Sequence, residues 1–290
     1  MRVANIIEEG KLGGPQIRMA RVAAAIEDVL TLIVMPVRNS ERFRALLHSQ
    51  DVPYRVFPMT HITKGVFPLI SYLFCTPMEV FRLARFFKRE RIDLVHVSGG
   101  SWQYKGVLAA RAVGIPVVWH LNDTSTPILI RLFFRAFQRL ASGFIFASHR
   151  SKEYYGGGIS LIRPTAVIPA PVDLEQFDPG LDYACDTEMP SMDKVPIVGT
   201  VANVNPVKGL DVLIRAAASL RDKGLEPHLV IVGPGHDRQR RYYRRLLQLV
   251  RDLGLKRVHF LGARTDVRPA LRCMDLYVCS SSAESSPTSV

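Results

Sequence analysis

Over most of this chain the hydrophobic positions come in short solid runs and not in alternation. "RVANII" (Arg2–Ile7), "DVLTLIVMP" (Asp28–Pro36), "IDLVHVSG" (Ile92–Gly99), "IPVVWHL" (Ile115–Leu121), "GFIFAS" (Gly143–Ser148) and "TAVIPAPV" (Thr165–Val172) read as strands. A strand that is apolar on both faces is covered by helices on both sides, as in a parallel sheet. Stretches with a helical period lie between the runs. The first opens at Pro15, where the missing N–H leaves no helical bond unmade. Strand–helix alternation of this kind predicts a doubly wound α/β sheet.

The pattern lapses at "DLEQFDPGLDYACDTEMPSMDKVP" (Asp173–Pro196), which is acidic, proline-bearing and without period, and reads as an interdomain linker. A second alternation follows, with strands at Val195–Ala202, His228–Gly233, Val258–Gly262 and Asp275–Ser280. Helices near Leu210–Lys223, Asp237–Leu253 and Val267–Met274 separate them. The expected organisation is a domain over residues 1–178, a linker over 179–194 and a second domain over 195–290. Two similar halves imply a ligand cleft at the carboxyl ends of the strands.

Composition narrows the class. A hydrophobic content of 48% and a charged content of 22% describe a globular chain. The longest apolar segment, Val66–Phe81, is interrupted by Pro68 and Pro77 and falls short of the ~20 residues that span a bilayer. Met1-Arg2-Val3 leads directly into a strand, with no leader pattern. Cys75, Cys185, Cys273 and Cys279 form no CxxC pair and read as reduced thiols, not as a disulfide frame or a zinc site. These features predict a soluble cytoplasmic protein.

The net charge of +12 asks for an anionic partner. Arg131, Arg135 and Arg139 recur four apart, with Phe133, Ala136, Phe137 and Leu140 expected on the opposite face. Arg82, Arg85 and Arg89 repeat the pattern. Such faces either lie against an anionic membrane surface or are solvated sides of core helices. There is no zinc-finger spacing, RRM signature or basic arm, so a nucleic acid partner is not expected.

The candidate chemistry lies in the loops of the second half. In "GTVANVNPVKGLDVLIRAAASL" (Gly199–Leu220) a strand ends, a polar turn follows, and Lys208-Gly209 opens an amphipathic helix. An ammonium beside free helix N–H groups suits a phosphate, although a solvated loop lysine would look the same. "VIVGPGHD" (Val230–Asp237), "FLGARTDV" (Phe260–Val267) and "VCSSSAESSPTSV" (Val278–Val290) repeat the strand–turn arrangement, and the last places Glu284 in a loop. His96 and His120 both fall at strand ends, where a histidine serves either structure or chemistry. Asp123 is a candidate to orient His120, to act near an acceptor, or to cap a helix.

Taken in order, these four loops resemble the donor-binding domain of the GT-B glycosyltransferases, in particular the retaining group called glycosyltransferase family 4. The likeness extends to Gly13-Gly14, "VVWHLND" with His120, "FIFASHRSKEYY" and "VIPAPVDLEQF", and so covers nearly the whole chain. It implies a GT-B fold of two Rossmann-like domains facing a cleft, the second incomplete. Glu284 matches the first glutamate of a Glu-x7-Glu motif whose second member falls just past Val290. The implied activity is a retaining hexosyltransferase-type transfer from a nucleotide-diphosphate-sugar to a hydroxyl of a saccharide or lipid-linked acceptor, in envelope polysaccharide or glycolipid synthesis.

By the same resemblance, Lys208 neutralises the donor diphosphate and Glu284 accepts hydrogen bonds from sugar hydroxyls. His120 hydrogen-bonds the transferred sugar, and Gly14 lets sugar or phosphate approach the backbone. Gly233, Gly235 and Arg264 line the nucleoside pocket, and Ser286 and Thr288 belong to the small residues whose N–H groups face the donor. Asn203 stands where the family often has an arginine, five residues before Lys208, with Arg264 as a candidate replacement cation. No Asp-x-Asp occurs, so neither a metal nor another cofactor is expected. The same architecture also admits a nucleotide-sugar epimerase, or an inactive chain that only binds a nucleotide or a partner.

Overall fold

The computed structural model describes residues 1–61, 66–156, 163–178, 180–182, 184–190, 195–235 and 239–286. The chain forms two compact units, Met1–Pro171 and Val172–Glu284, with residues 285 and 286 grouping with the first.

The first unit has seven strands: β1 (Arg2–Ile6), β2 (Leu30–Pro36), β3 (Tyr54–Phe57), β4 (Leu94–Ser98), β5 (Val117–Leu121), β6 (Gly143–Phe146) and β7 (Thr165–Val167). They form one sheet in the order β3-β2-β1-β4-β5-β6-β7, and every pairing is parallel. Its helices are α1 (Gly14–Ala25), α2 (Glu41–Ser49), α3 (Val66–Arg89), α4 (Tyr104–Ala112), α5 (Ile128–Phe137) and α6 (His149–Tyr155). The solid apolar runs have the expected cause. On β2, Leu32 and Val34 enter the core built with α3–α6, while Ile33 and Met35 enter the core built with α1 and α2. Trp119, fully buried on β5, meets Tyr104 and Phe134 edge-on, with centroids 5.5 and 5.0 Å away.

Three features depart from the expectations. β3 is a strand framed by Pro53 and Pro58, too short to show a period. α3 is one 24-residue helix that runs through Pro77. Its second half packs through Leu83, Ala84, Phe86 and Phe87, while Leu69, Ile70, Leu73, Phe74, Met78 and Phe81 are exposed. On α5 the buried ring is Phe134 and not Phe133, which is exposed beside Leu132. "ILIRLFF" is apolar almost all round, so tertiary fit against Trp119, Phe144 and Tyr155 sets its rotation. The expected α-helical spacing does not extend to Arg139, because α5 ends at Phe137 and residues 138–140 form a 3₁₀ turn.

The second unit has β8 (Ile197–Val201), β9 (His228–Val232), β10 (Val258–Gly262) and β11 (Leu276–Tyr277), in the parallel order β10-β9-β8-β11. α7 (Leu210–Arg221) and α8 (Arg240–Asp252) cover one face through Leu210, Leu213, Ile214, Ala217 and Leu246. α9 (Arg268–Arg272) places Ala270 against Ile197, Val230 and Val232 on the other. The expected helix start at Asp237 lies outside the described residues.

The expected linker is not free-standing. Its described part groups with the second unit, which begins at Val172. Asp186 Oδ2 holds Arg264 Nε at 2.6 Å. Cys185 and Cys273 are paired as a disulfide, with Cα atoms 5.6 Å apart, which corrects the reading of both as reduced thiols. Cys75 and Cys279 are free. Partners separated by 88 residues are brought together by α9, which no spacing rule reports.

Gly209 sits left-handed at φ +60°, and a Cβ there would collide with the Ser280 carbonyl oxygen. Gly224 is also left-handed, at φ +79°, but has open space around it. Gly224→Ala therefore pays only the left-handed penalty of about 1–2 kcal/mol, whereas Gly209→Ala adds a backbone clash. Urea titrations with hydrogen exchange read at β8 and α7 should show the larger destabilisation in Gly209→Ala; equal losses would remove the packing role assigned to Gly209.

Candidate active site

In the second unit β8 has β9 on one side and β11 on the other, so the strand order reverses there. Loops leaving adjacent strands at such a reversal run out side by side. The loop after β8 turns at Asn205, whose Oδ1 accepts the Val207 N–H at 3.0 Å. Residues 206–208 form a 3₁₀ turn and Gly209 is the N-cap of α7. The loop after β11 is stitched onto it. Ser280 Oγ donates to the Lys208 carbonyl at 2.9 Å, and the Ser282 N–H donates to the Val207 carbonyl at 2.9 Å. The serine run thus satisfies the carbonyls of the lysine turn.

This stitching brings Lys208 Nζ onto Glu284 Oε1 as an ion pair. Ser281 Oγ donates to the same oxygen at 2.7 Å. Both charged side chains remain partly exposed, at 24% and 22%. A cation and an acceptor carboxylate from two adjacent loops are therefore held in contact, within reach of solvent.

Other predicted positions fall out differently. Gly233 is a packing residue, since a Cβ there would strike the Ala202 carbonyl oxygen. Gly235 has open space around its Cα and bridges to Val204. Asn203 is exposed at the end of β8. Arg264, expected at the nucleoside turn and as a substitute cation, is instead engaged by Asp186, by Glu188 at 2.8 Å and by the Leu261 carbonyl at 2.6 Å. Those hydrogen bonds raise its pKa further, and two carboxylates already balance its charge. Ser286 Oγ accepts the Ala170 N–H at 3.1 Å. Thr288 lies outside the described residues.

In the first unit the order reverses between β1 and β4. Gly14 is the first residue of α1, with Gly13 in extended conformation before it. His120, on β5, is buried and has both ring nitrogens engaged by the protein. Arg18 Nη1 lies 2.8 Å from Nε2, and His96 Nε2 lies 3.2 Å from Nδ1. Asp123 does not orient it. Its carboxylate accepts the Tyr155 hydroxyl and faces Ser101 Oγ at 3.5 Å, and burial raises its pKa.

Residues 195–290 match the family described as Glycosyl transferases group 1, and residues 38–176 match Glycosyltransferase Family 4. The chain belongs to the GT-B glycosyltransferases. It is 35% identical over 253 residues to a D-inositol 3-phosphate glycosyltransferase of Nocardia farcinica, a match covering 82% of this chain and 53% of that protein. A UDP-N-acetylglucosamine–N-acetylmuramyl-(pentapeptide) pyrophosphoryl-undecaprenol N-acetylglucosamine transferase of Synechococcus elongatus is 29% identical over 139 residues, 48% of this chain and 35% of that protein. This GT-B chain thus spans about a third to a half of the length of these two curated relatives. Anabaena HepE in complex with UDP and glucose shares the fold, with a TM-score of 0.76 at 23% identity over 97% of this chain and 74% of that one.

One cluster of the GT-B chain gave no signal in the sequence. Lys105, fully buried, pairs with Glu79 at 2.6 Å and stands 3.7 Å from Glu8. Tyr72 donates its hydroxyl to Glu8 at 2.9 Å, and its ring lies under the ammonium at 4.2 Å. The Lys105 N–H donates to Glu8 Oε1 at 2.9 Å, which ties the loop after β1 to the start of α4. One ammonium faces two carboxylates, so one negative charge is left over. Burial lifts Glu8 to about 7 against the pull of Lys105.

The sign of the linkage follows. Between pH 4.5 and about 7 the unfolded chain ionises Glu8 while the folded one keeps its proton. Stability should therefore fall as pH rises through that window, by on the order of 3 kcal/mol. Glu8→Gln should flatten this dependence in denaturant titrations; an unchanged slope would show that Glu8 loses its proton over the same range in the folded and unfolded chain.

Proposed function

We propose that this chain carries the donor site of a retaining glycosyltransferase, which moves a sugar from a nucleotide-diphosphate-sugar to a hydroxyl in envelope polysaccharide or glycolipid synthesis. The observation that carries this reading is the contact between Lys208 and Glu284 on two stitched loops at the sheet reversal. Breaking a sugar–phosphate bond leaves charge on the diphosphate, and a preorganised cation aimed there lowers the barrier. Lys208 would supply that cation from the turn that leads into α7. Glu284 would accept hydrogen bonds from sugar hydroxyls. A bound donor exchanges the ion pair for these two contacts, and a partly exposed pair is weak enough to exchange, at about 0–1 kcal/mol.

The printed names of the relatives support the substrate class: UDP-sugar donors and a pyrophosphoryl-undecaprenol acceptor occur among them. The reaction on this reading uses no metal, so EDTA should leave transfer intact. Two substitutions separate the two roles. Lys208→Met should weaken both the nucleoside diphosphate and its sugar conjugate, roughly 10–100-fold, a cost of about 1.4–2.7 kcal/mol. Glu284→Gln should weaken only the sugar conjugate. Thermal shift over a panel of UDP- and GDP-sugars would find the donor, and calorimetry would then read both variants; loss of diphosphate binding in Glu284→Gln would reverse the assignment.

We also propose that the first unit meets an anionic membrane through α3. Leu69, Ile70, Leu73, Phe74, Met78 and Phe81 are exposed on this helix, Phe74 at 87%. The exposed Arg82, Arg85, Lys88 and Arg89 follow them. An apolar stripe with a basic end suits the headgroup–acyl boundary of anionic lipid. Among the described residues no helix is long and apolar enough to cross a membrane. Flotation should show binding to phosphatidylglycerol vesicles over neutral ones, reduced at least several-fold by Phe74→Glu; equal recovery with both lipids would exclude it.

A further inference from the structure

Four polar side chains and a guanidinium form one connected line on the sheet face that α1 covers. Asn5 of β1 is the register partner of His96 on β4, and Ser98 of β4 is the register partner of His120 on β5. Arg18 reaches in from α1, with Nη1 2.8 Å from His120 Nε2 and Nη2 donating to Ser98 Oγ at 2.6 Å. His120 Nδ1 is 3.2 Å from His96 Nε2, and His96 Nδ1 is 2.5 Å from Asn5 Oδ1.

Only one arrangement of protons satisfies this line. A guanidinium can only donate, so His120 Nε2 must be the acceptor and carry no proton. The proton of the neutral ring then sits on Nδ1 and is donated to His96 Nε2. His96 in turn carries its proton on Nδ1, which faces the Asn5 carbonyl oxygen. A second proton on His120 would put an N–H against the Arg18 N–H and a positive charge beside a buried cation.

We propose that Arg18 is a positioning residue which locks His120, and through it His96, as neutral Nδ1–H tautomers across the working pH range. His120 Nε2 is then fixed as an acceptor for Arg18 and Nδ1 as a donor to His96, and the ring does not act as an acid. Burial disfavours protonation of His120 most, and the charged or titratable groups that face it, Arg18 from α1 and His96 from β4, act in the same direction. Burial and Arg18 hold His96 down to about 3. Burial lowers Arg18 itself to about 10, which leaves it charged at neutral pH. The inference rests on the proposed transfer only for its meaning to catalysis: leaving-group charge is met by cations, and no proton comes from His120.

The test needs no donor or acceptor, so it can fail or succeed independently of the transferase reading. Long-range proton–nitrogen NMR spectra of the histidine-labelled chain, assigned with His96→Gln and His120→Gln, report tautomer and charge directly. Both rings should show a protonated Nδ1 and a bare Nε2 from pH 8 to pH 5. Arg18→Met should release His120, which then takes the Nε2–H form or titrates in this window. Arg18→Lys restores a donor and should keep the locked pattern. An Nε2–H tautomer or an imidazolium signal for His120 in the unsubstituted chain would overturn the proposal, and so would a pattern unchanged in Arg18→Met. Should Arg18→Met fail to fold, the unsubstituted spectrum and Arg18→Lys still decide.

Discussion

A parallel strand can be rejoined only by a crossover, so every strand of a parallel sheet releases its chain at the same edge. That constraint governs both units. It gathers the loops after β8 and β11 at one reversal of strand order, and the loops after β1 and β4 at another. Residues 76 positions apart, Lys208 and Glu284, meet because they lie in the loops that leave two neighbouring strands, β8 and β11, of one four-stranded sheet. The requirement for glycine at 209 is a consequence of the same crowding, since two loops leaving adjacent strands approach to backbone contact there.

The two units use charge in opposite ways. Lys208 and Glu284 keep about a quarter of their side-chain surface in water, so their pairing is weak and exchangeable. Lys105 and Glu79 are buried, and removing Lys105 would leave Glu79 and Glu8 in the interior without their cation. The first arrangement suits a site that must trade partners with a ligand. The second suits a joint, and it ties the loop after β1 and the start of α4 to α3.

Family likeness placed residue types without reporting the neighbours that surround them. Arg264 is a cation in the expected turn, yet Asp186 and Glu188 occupy its guanidinium. His120 stands at the expected strand end, yet Arg18 and His96 take both its nitrogens. In each case the residue type matched, and the neighbours that decide its chemistry came from segments with no motif of their own.

By itself the sequence determined the fold class, both alternations of strand and helix, and the loops that bear Lys208 and Glu284. Solid apolar runs and glycine-bearing turns are local signals, readable within ten residues. Only the tertiary structure decided the rest. It set the rotation of α5, because a helix apolar on nearly every side has no preferred phase until Phe134 meets Trp119. It let α3 run on through Pro77, joined Cys185 to Cys273, and assembled Glu8, Tyr72, Glu79 and Lys105 into one buried cluster. These depend on contacts between residues far apart in the chain, and the free energy of such contacts belongs to the pair, not to either residue's place in the sequence.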